Sequence, residues 1–184
     1  MNIFYLSTNP NEAATHMIDR HVKGGKMITE AAQILQTCFT LDQLKKAPRS
    51  QTGTIRGHSH FNHPCCKWVR QSKGNFLWLV EHAYAMNEER MFRNGDSRSH
   101  FSIGFIDWAL ENIDQSCCPD TYEITSPALA MKNYSHFMGP DPVLSYRKFY
   151  VADKRFDRRG KKMDIWTRRD KPDWWTTISQ EIDI

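Results

Sequence analysis

Arg56–Met91 reads RGHSHFNHPCCKWVRQSKGNFLWLVEHAYAMNEERM, and its periodicity decides the fold class. Proline has no N–H to lose and a preset φ, so Pro64 suits the first helical position after a polar cap at His63. The helix CCKWVRQS then runs to a stop at Gly74. Asn75 is expected to cap a second helix, because its side-chain oxygen can accept from the free N–H groups of the next turn. In that helix Phe76, Val80, Ala83, Asn87 and Met91 form one stripe at steps of three and four, the spacing of a helix face. A buried amide such as Asn87 must find partners. Either it bonds a neighbouring helix, or it positions a substrate in a polar pocket.

Outward from this pair the chain stays helical. MNIFYL is rich in β-formers and is read as one short strand. Asn9-Pro10-Asn11-Glu12 is a helix start with a capping box, and Ala14, Met17, Ile18, His21 and Val22 make its inward stripe. Gly24-Gly25 breaks that helix. Another follows over 26–38, burying Met27, Ile28, Ala31, Ile34, Leu35 and Cys38, before a polar connection from Leu41 to Ile55. His100 to Ile113 is helical by pattern, Gln115 to Pro140 reads as a long loop, and Asp141-Pro142 opens the helix PVLSYRKFYVADKRF. Trp166 and Trp174-Trp175 dock the tail. The expectation is a mainly α single domain, 1–184, of about six helices plus one short N-terminal strand.

With 184 residues, 25% charged and 40% apolar, the chain has the balance of a soluble globular domain. It has no apolar run of about 18 residues, which argues against a membrane span. The N-terminus lacks the basic leader and apolar stretch of an export signal. Five cysteines at irregular spacing point to reduced intracellular thiols. The net charge of +4 is unevenly laid out: Arg147 to Lys171 holds 11 Lys/Arg and 4 Asp, against 14 basic and 17 acidic residues elsewhere. Within the basic, aromatic segment 141–175, Phe149, Tyr150, Phe156 and Trp166 interleave the cations, and Arg158, Arg159, Lys161 and Lys162 cluster. Such a composition suits a nucleic-acid surface.

His58, His60, His63, Cys65 and Cys66 invite a zinc reading. Yet a helix opened by Pro64 turns Cys65 and Cys66 about 100° apart, so neither a metal nor another cofactor is expected. General acid–base work by His60 and His63, or a helix cap or phosphate contact, fits these residues better. His21 points inward, where it can meet them as a third acid–base group or sit as a satisfied core histidine. Asp19 lies two residues away and does not share its helix face. Lys23 and Lys26 flank the Gly24-Gly25 turn, whose N–H groups could hold a phosphate. Glu88 and Glu89 are expected to pair with Arg93 on the helix surface. Arg147, Tyr150 and Lys154 share one face, with Tyr146 beside them. They suit stacking on bases and pairing with phosphates, or equally tyrosines packed on the core beneath snorkelling cations.

Several of these residues fall in a recognisable order: Asp19-x-His21-Val22, Lys26-Met27, His60-x-Asn62-His63-Pro64, Asp141-Pro142, Tyr146-Arg147, Tyr150, Lys154, then Trp166-x-x-Arg169-x-x-Pro172-x-Trp174. In this the chain resembles, over most of its length, a widespread family of tailed-bacteriophage proteins with no settled activity. The resemblance implies a phage protein in the cytoplasm of an infected bacterium. Gly24-Gly25 is a departure, since in that family the segment after Asp-x-His-Val continues directly into Lys-Met. In a continuous helix two extra residues would swing Lys26 from His21 by roughly 200°. Taken with the residues above, the first expectation is an enzyme on nucleic acid or nucleotides, of glycosidic or base-modifying type. It would use His21, His60, His63 and Asp19, with Asn75 and Asn87 positioning substrate and Tyr146, Arg147, Tyr150 and Lys154 holding bases and phosphate. The alternative is a non-catalytic nucleic-acid-binding or host-takeover protein.

Overall fold

The organising element is a helix of 22 residues, α6 (Lys73–Asn94), in a computed structural model that describes residues 1–182. Packed on it are α1 (Pro10–Thr15), α2 (Asp19–Val22), α3 (Lys26–Gln36), α5 (Pro64–Val69) and α7 (Ile103–Glu111). α4 (Leu41–Leu44) is a single turn, and α8 (Pro142–Lys154) pairs with α9 (Asp173–Ile182). The protein is mainly α. Its helix count exceeds six because breaks and one-turn pieces divide the expected segments.

Three starts are set by local cap chemistry. Asn9 Oδ1 accepts from the Asn11 and Glu12 amides, His63 Nδ1 from the Cys65 amide and Asp141 Oδ1 from the Val143 and Leu144 amides, each followed by proline at the first helical position. The reciprocal half of the Asn9 box is relayed. Ser7 Oγ accepts the Asn9 N–H at 3.1 Å and donates to Glu12 Oε2 at 2.5 Å.

The cap of α6 differs from the expectation. Ser72 Oγ accepts the Asn75 amide at 3.0 Å, so the helix begins before Gly74 and Asn75 is not its cap. Gly74 is there for a close approach: a Cβ would lie 2.5 Å from the Tyr122 carbonyl oxygen and 2.6 Å from that of Glu123. The long loop is thereby laid against the first turn of α6.

MNIFYL forms no strand; among the described residues the only β pairing is the isolated bridge Phe156–Lys162. Residues 2–6 are buried throughout, and Phe4 has φ +42°, which breaks the alternation a ladder needs. Side chains satisfy its backbone instead. Asn2 Oδ1 accepts from the Ile3 and Phe4 amides (2.8 and 3.0 Å), and Arg147 Nε donates to the Leu6 carbonyl (2.9 Å). The β-like composition reflects burial, not pairing.

The expected helix from Pro10 to Val22 is split at His16–Ile18, yet Ala14, Met17, Ile18, His21 and Val22 all remain buried. After Val22 the chain turns through Gly25, at φ +67°, whose missing side chain makes room for the His100 ring. Lys26 therefore starts a new helix and pairs on the surface with Glu30 at 3.7 Å. Among the described residues no helix is long and apolar enough to cross a membrane.

Candidate functional site

His21 is buried in an aromatic cage. Its ring stacks on Phe4 (centroids 4.9 Å apart, planes at 12°), and Nδ1 lies 2.7 Å from Tyr150 Oη. Tyr150 Oη also accepts the Ile18 amide at 3.2 Å, so its own proton goes to His21 Nδ1 and the imidazole carries its proton on Nε2. Burial, reinforced by the charges of Lys154, Arg20 and Lys26, lowers the His21 pKa to about 3. Burial likewise pushes the Tyr150 phenol up. This pair is neutral near pH 7 and ties α2 to α8.

Asp19 belongs to a different network. Its carboxylate accepts from the Thr167 amide (3.0 Å) and hydroxyl (2.5 Å), and from Arg93 Nη1 (3.1 Å). Burial alone would raise its pKa, but these donors hold it below the usual carboxylate range. Arg93 donates as well to the Thr15 and Met17 carbonyls at the break between α1 and α2, and to Glu89 Oε1 at 2.6 Å. Arg169 then forks onto the same Glu89 carboxylate at 2.8–3.1 Å. The expected surface pairing is thus corrected: Arg93 and Glu89 have side chains 0% and 3% exposed. Their face of α6 turns inward because the split before α2 needs a donor for its freed carbonyls.

The positioning residues are likewise spent on the fold. Asn75 donates to the Trp68 carbonyl and Thr125 Oγ1 (both 2.7 Å) and accepts the Thr125 amide (2.8 Å), which pins the long loop. Asn87 Oδ1 accepts the His100 amide at 2.7 Å. Tyr146 Oη donates to the Ala128 carbonyl at 2.6 Å. Arg147, besides its bond to Leu6, lies over the Trp174 ring at 4.9 Å, and Lys154 pairs with Asp153 above the rings of Phe4 and Phe149.

His60 and His63 stay near each other at the surface, His60 with φ +53° and its Nδ1 2.7 Å from Ser59 Oγ. His58 Nε2 donates to the Phe39 carbonyl at 2.7 Å. Among the described residues no hydrogen bond, ion pair or ring contact joins His21 to His60 or His63. Nor does any group of three His, Cys, Asp or Glu have the arrangement of a metal site there.

What the fold leaves unspent lies beyond α8. Residues 155–163 form a tight hairpin closed by the Phe156–Lys162 bridge, with Gly160 at φ +77°. Asp157 Oδ1 accepts the Arg159 and Lys161 amides (2.8 and 2.9 Å), which lowers its pKa and uses its charge inside the turn. Arg158, Arg159 and Lys161 are exposed and, among the described residues, have no ion pair. Phe156 stands beside them, 43% exposed. Exposed Arg20 of α2 is close enough to act on Asp157, so it extends the positive face across two elements. Charge counting found these cations, whereas the hairpin that presents them was hidden by a helical reading to Phe156. Comparison with protein-family models, with curated proteins and with solved structures found no match for this chain.

Proposed function

We propose that this protein binds nucleic acid without catalysing a reaction on it, using the hairpin of residues 155–163 and the adjoining Arg20. The carrying observation is the hairpin tip. Three exposed cations with no ion pair among the described residues sit beside an exposed aromatic ring, in a segment of 11 basic and 4 acidic residues. Phosphates reward that arrangement through counterion release, and Phe156 offers a face for an unstacked base. The phage setting implied by the sequence resemblance suits such a role in an infected bacterium. A glycosidic or base-modifying enzyme has less support. The residues it would use are divided between a neutral buried pair (His21, Tyr150), a bonded carboxylate (Asp19) and surface histidines (His60, His63).

The test is fluorescence anisotropy with labelled single-stranded and duplex DNA, between about 50 and 200 mM salt. Affinity is expected to fall with salt at about 0.9 log units per log unit for each phosphate neutralised on a duplex. Combined reversal of Arg158, Arg159 and Lys161 to glutamate should flatten that slope. Affinity that ignores both salt and the reversal removes nucleic acid as the partner.

A further inference from the structure

A cleft of about 470 Å³ opens between α3, the loop of residues 50–59 and the segment entering α7. Its size is that of a small-molecule site, which commonly spans about 300–1,000 Å³. We propose that it binds a small phosphorylated sugar, either free or as part of a mononucleotide. This does not rest on the nucleic-acid reading, since the cleft and the hairpin have no residue in common.

Charge gives the first argument. Among the described residues no aspartate or glutamate lines the cleft, although outside Arg147–Lys171 acidic residues outnumber basic ones 17 to 14. The charged lining group is Arg56, half-buried, with no ion pair among the described residues. Its Nε and Nη2 donate to the Pro48 and Arg49 carbonyls (2.7 and 3.3 Å), and its guanidinium lies 4.6 Å from the Phe105 ring centre. With the Gln36 amide turned to suit its neighbours, Gln36 donates to the Gly57 carbonyl (2.8 Å) and accepts from Arg56 Nη1 (3.1 Å). Three of five N–H groups are used. A held, uncompensated guanidinium with two donors to spare matches the oxygens of a phosphate.

Neutral polar groups give the second. Gly53, at φ +78°, folds the loop so that Ser50 Oγ lies 2.9 Å from Thr52 Oγ1 and 2.5 Å from Thr54 Oγ1. Gln33 and Gln51 make no side-chain hydrogen bond among the described residues, so two complete amides, each donor and acceptor, face a cleft rich in hydroxyls. Groups of that kind read the alternating donors and acceptors of a sugar. At the rim Phe101 is 48% exposed, a platform for the sugar face or for a base.

Isothermal titration with ribose 5-phosphate, AMP, ribose and adenosine tests this, on the full chain carrying the combined Arg158, Arg159 and Lys161 reversal so that the hairpin does not contribute. The phosphorylated compounds should bind at least about tenfold tighter than ribose and adenosine. Gln33→Glu, an isosteric change on a half-exposed helix face, puts a carboxylate in the cleft and should weaken them by at least about tenfold. Arg56→Lys should weaken them too, but it also releases the loop carbonyls, so Gln33→Glu decides if that variant unfolds. Equal affinity for both phosphates makes the ligand a free phosphosugar. Tighter AMP binding, lost in Phe101→Ala, makes it a nucleotide. The proposal is overturned if neither phosphate binds better than about 1 mM, if adenosine matches AMP, or if Gln33→Glu leaves the affinities unchanged.

Discussion

Two polar regions of this molecule use the same residue types in opposite ways. Around the break between α1 and α2, Asp19, Glu89, Arg93 and Arg169 saturate one another and the freed carbonyls of Thr15 and Met17. On the hairpin and in the cleft, Arg158, Arg159, Lys161, Gln33 and Gln51 keep hydrogen-bonding capacity the fold does not use. An inward histidine or carboxylate therefore says little about function by itself. Unspent donors and charges on a shaped surface say more, because a buried polar group must be satisfied by the fold before any ligand arrives.

Within the saturated network Arg93 has the most partners. Arg93→Leu leaves Glu89 and Asp19 short of a partner and two carbonyls bare, and removing one member of a buried pair costs about 3–5 kcal/mol. Urea denaturation should show that loss, with DNA affinity unchanged under conditions where the variant stays folded. A loss within error of zero would mean the network is as dispensable as a surface pair.

Asn75→Ala comes next. It strands the Thr125 amide and takes from the Trp68 carbonyl the second of two donors, leaving the Gln71 amide, for about 1–3 kcal/mol. Faster amide exchange across residues 121–126 should accompany the loss, and unchanged exchange there would contradict Asn75 as the loop's anchor.

The buried histidines make stability depend on pH. Burial lowers His21 from 6.5 to about 3, and lowers His82 to about 4 against a partial offset from the Pro10 carbonyl. A group whose folded pKa is depressed binds more protons when unfolded. Its stabilising effect is full above pH 6.5 and is lost as pH falls toward the folded value. Within that window each histidine should tilt stability by up to about 1.4 kcal/mol per pH unit. His21→Gln should flatten the part of the slope due to His21. A stability profile level from pH 7 to 4 would refute the buried, neutral state of both rings.

Much of the helical frame was legible because caps are local. Asn9-Pro10, His63-Pro64 and Asp141-Pro142 each mark a helix start within a few residues of its partners. The split at His16–Ile18 was not, because it depends on Arg93, 76 residues from Met17 in the chain. Asn75 looked like a cap because its main partner, Thr125, lies 50 residues onward. MNIFYL looked like a strand because burial on both sides selects the residues that strands also favour. The cationic hairpin was legible as composition but not as shape. Nothing in the sequence announced the cleft, whose described lining is drawn from three separated segments and leaves out their one acid, Glu30.

The His21–Tyr150 pair holds α2 to α8, whereas the hairpin of residues 155–163 is the proposed binding surface. Tyr150→Phe and the combined Arg158, Arg159 and Lys161 reversal separate the two, with melting temperature and DNA anisotropy measured side by side on both variants. Tyr150→Phe should cost about 1–3 kcal/mol of stability, since it leaves the buried Ile18 amide without an acceptor and removes the bond to His21, and should leave DNA affinity as it was. The reversal should leave the melting temperature as it was and remove salt-sensitive binding. DNA binding that survives the reversal but disappears in folded Tyr150→Phe would exclude the hairpin as the binding surface and move the site to His21.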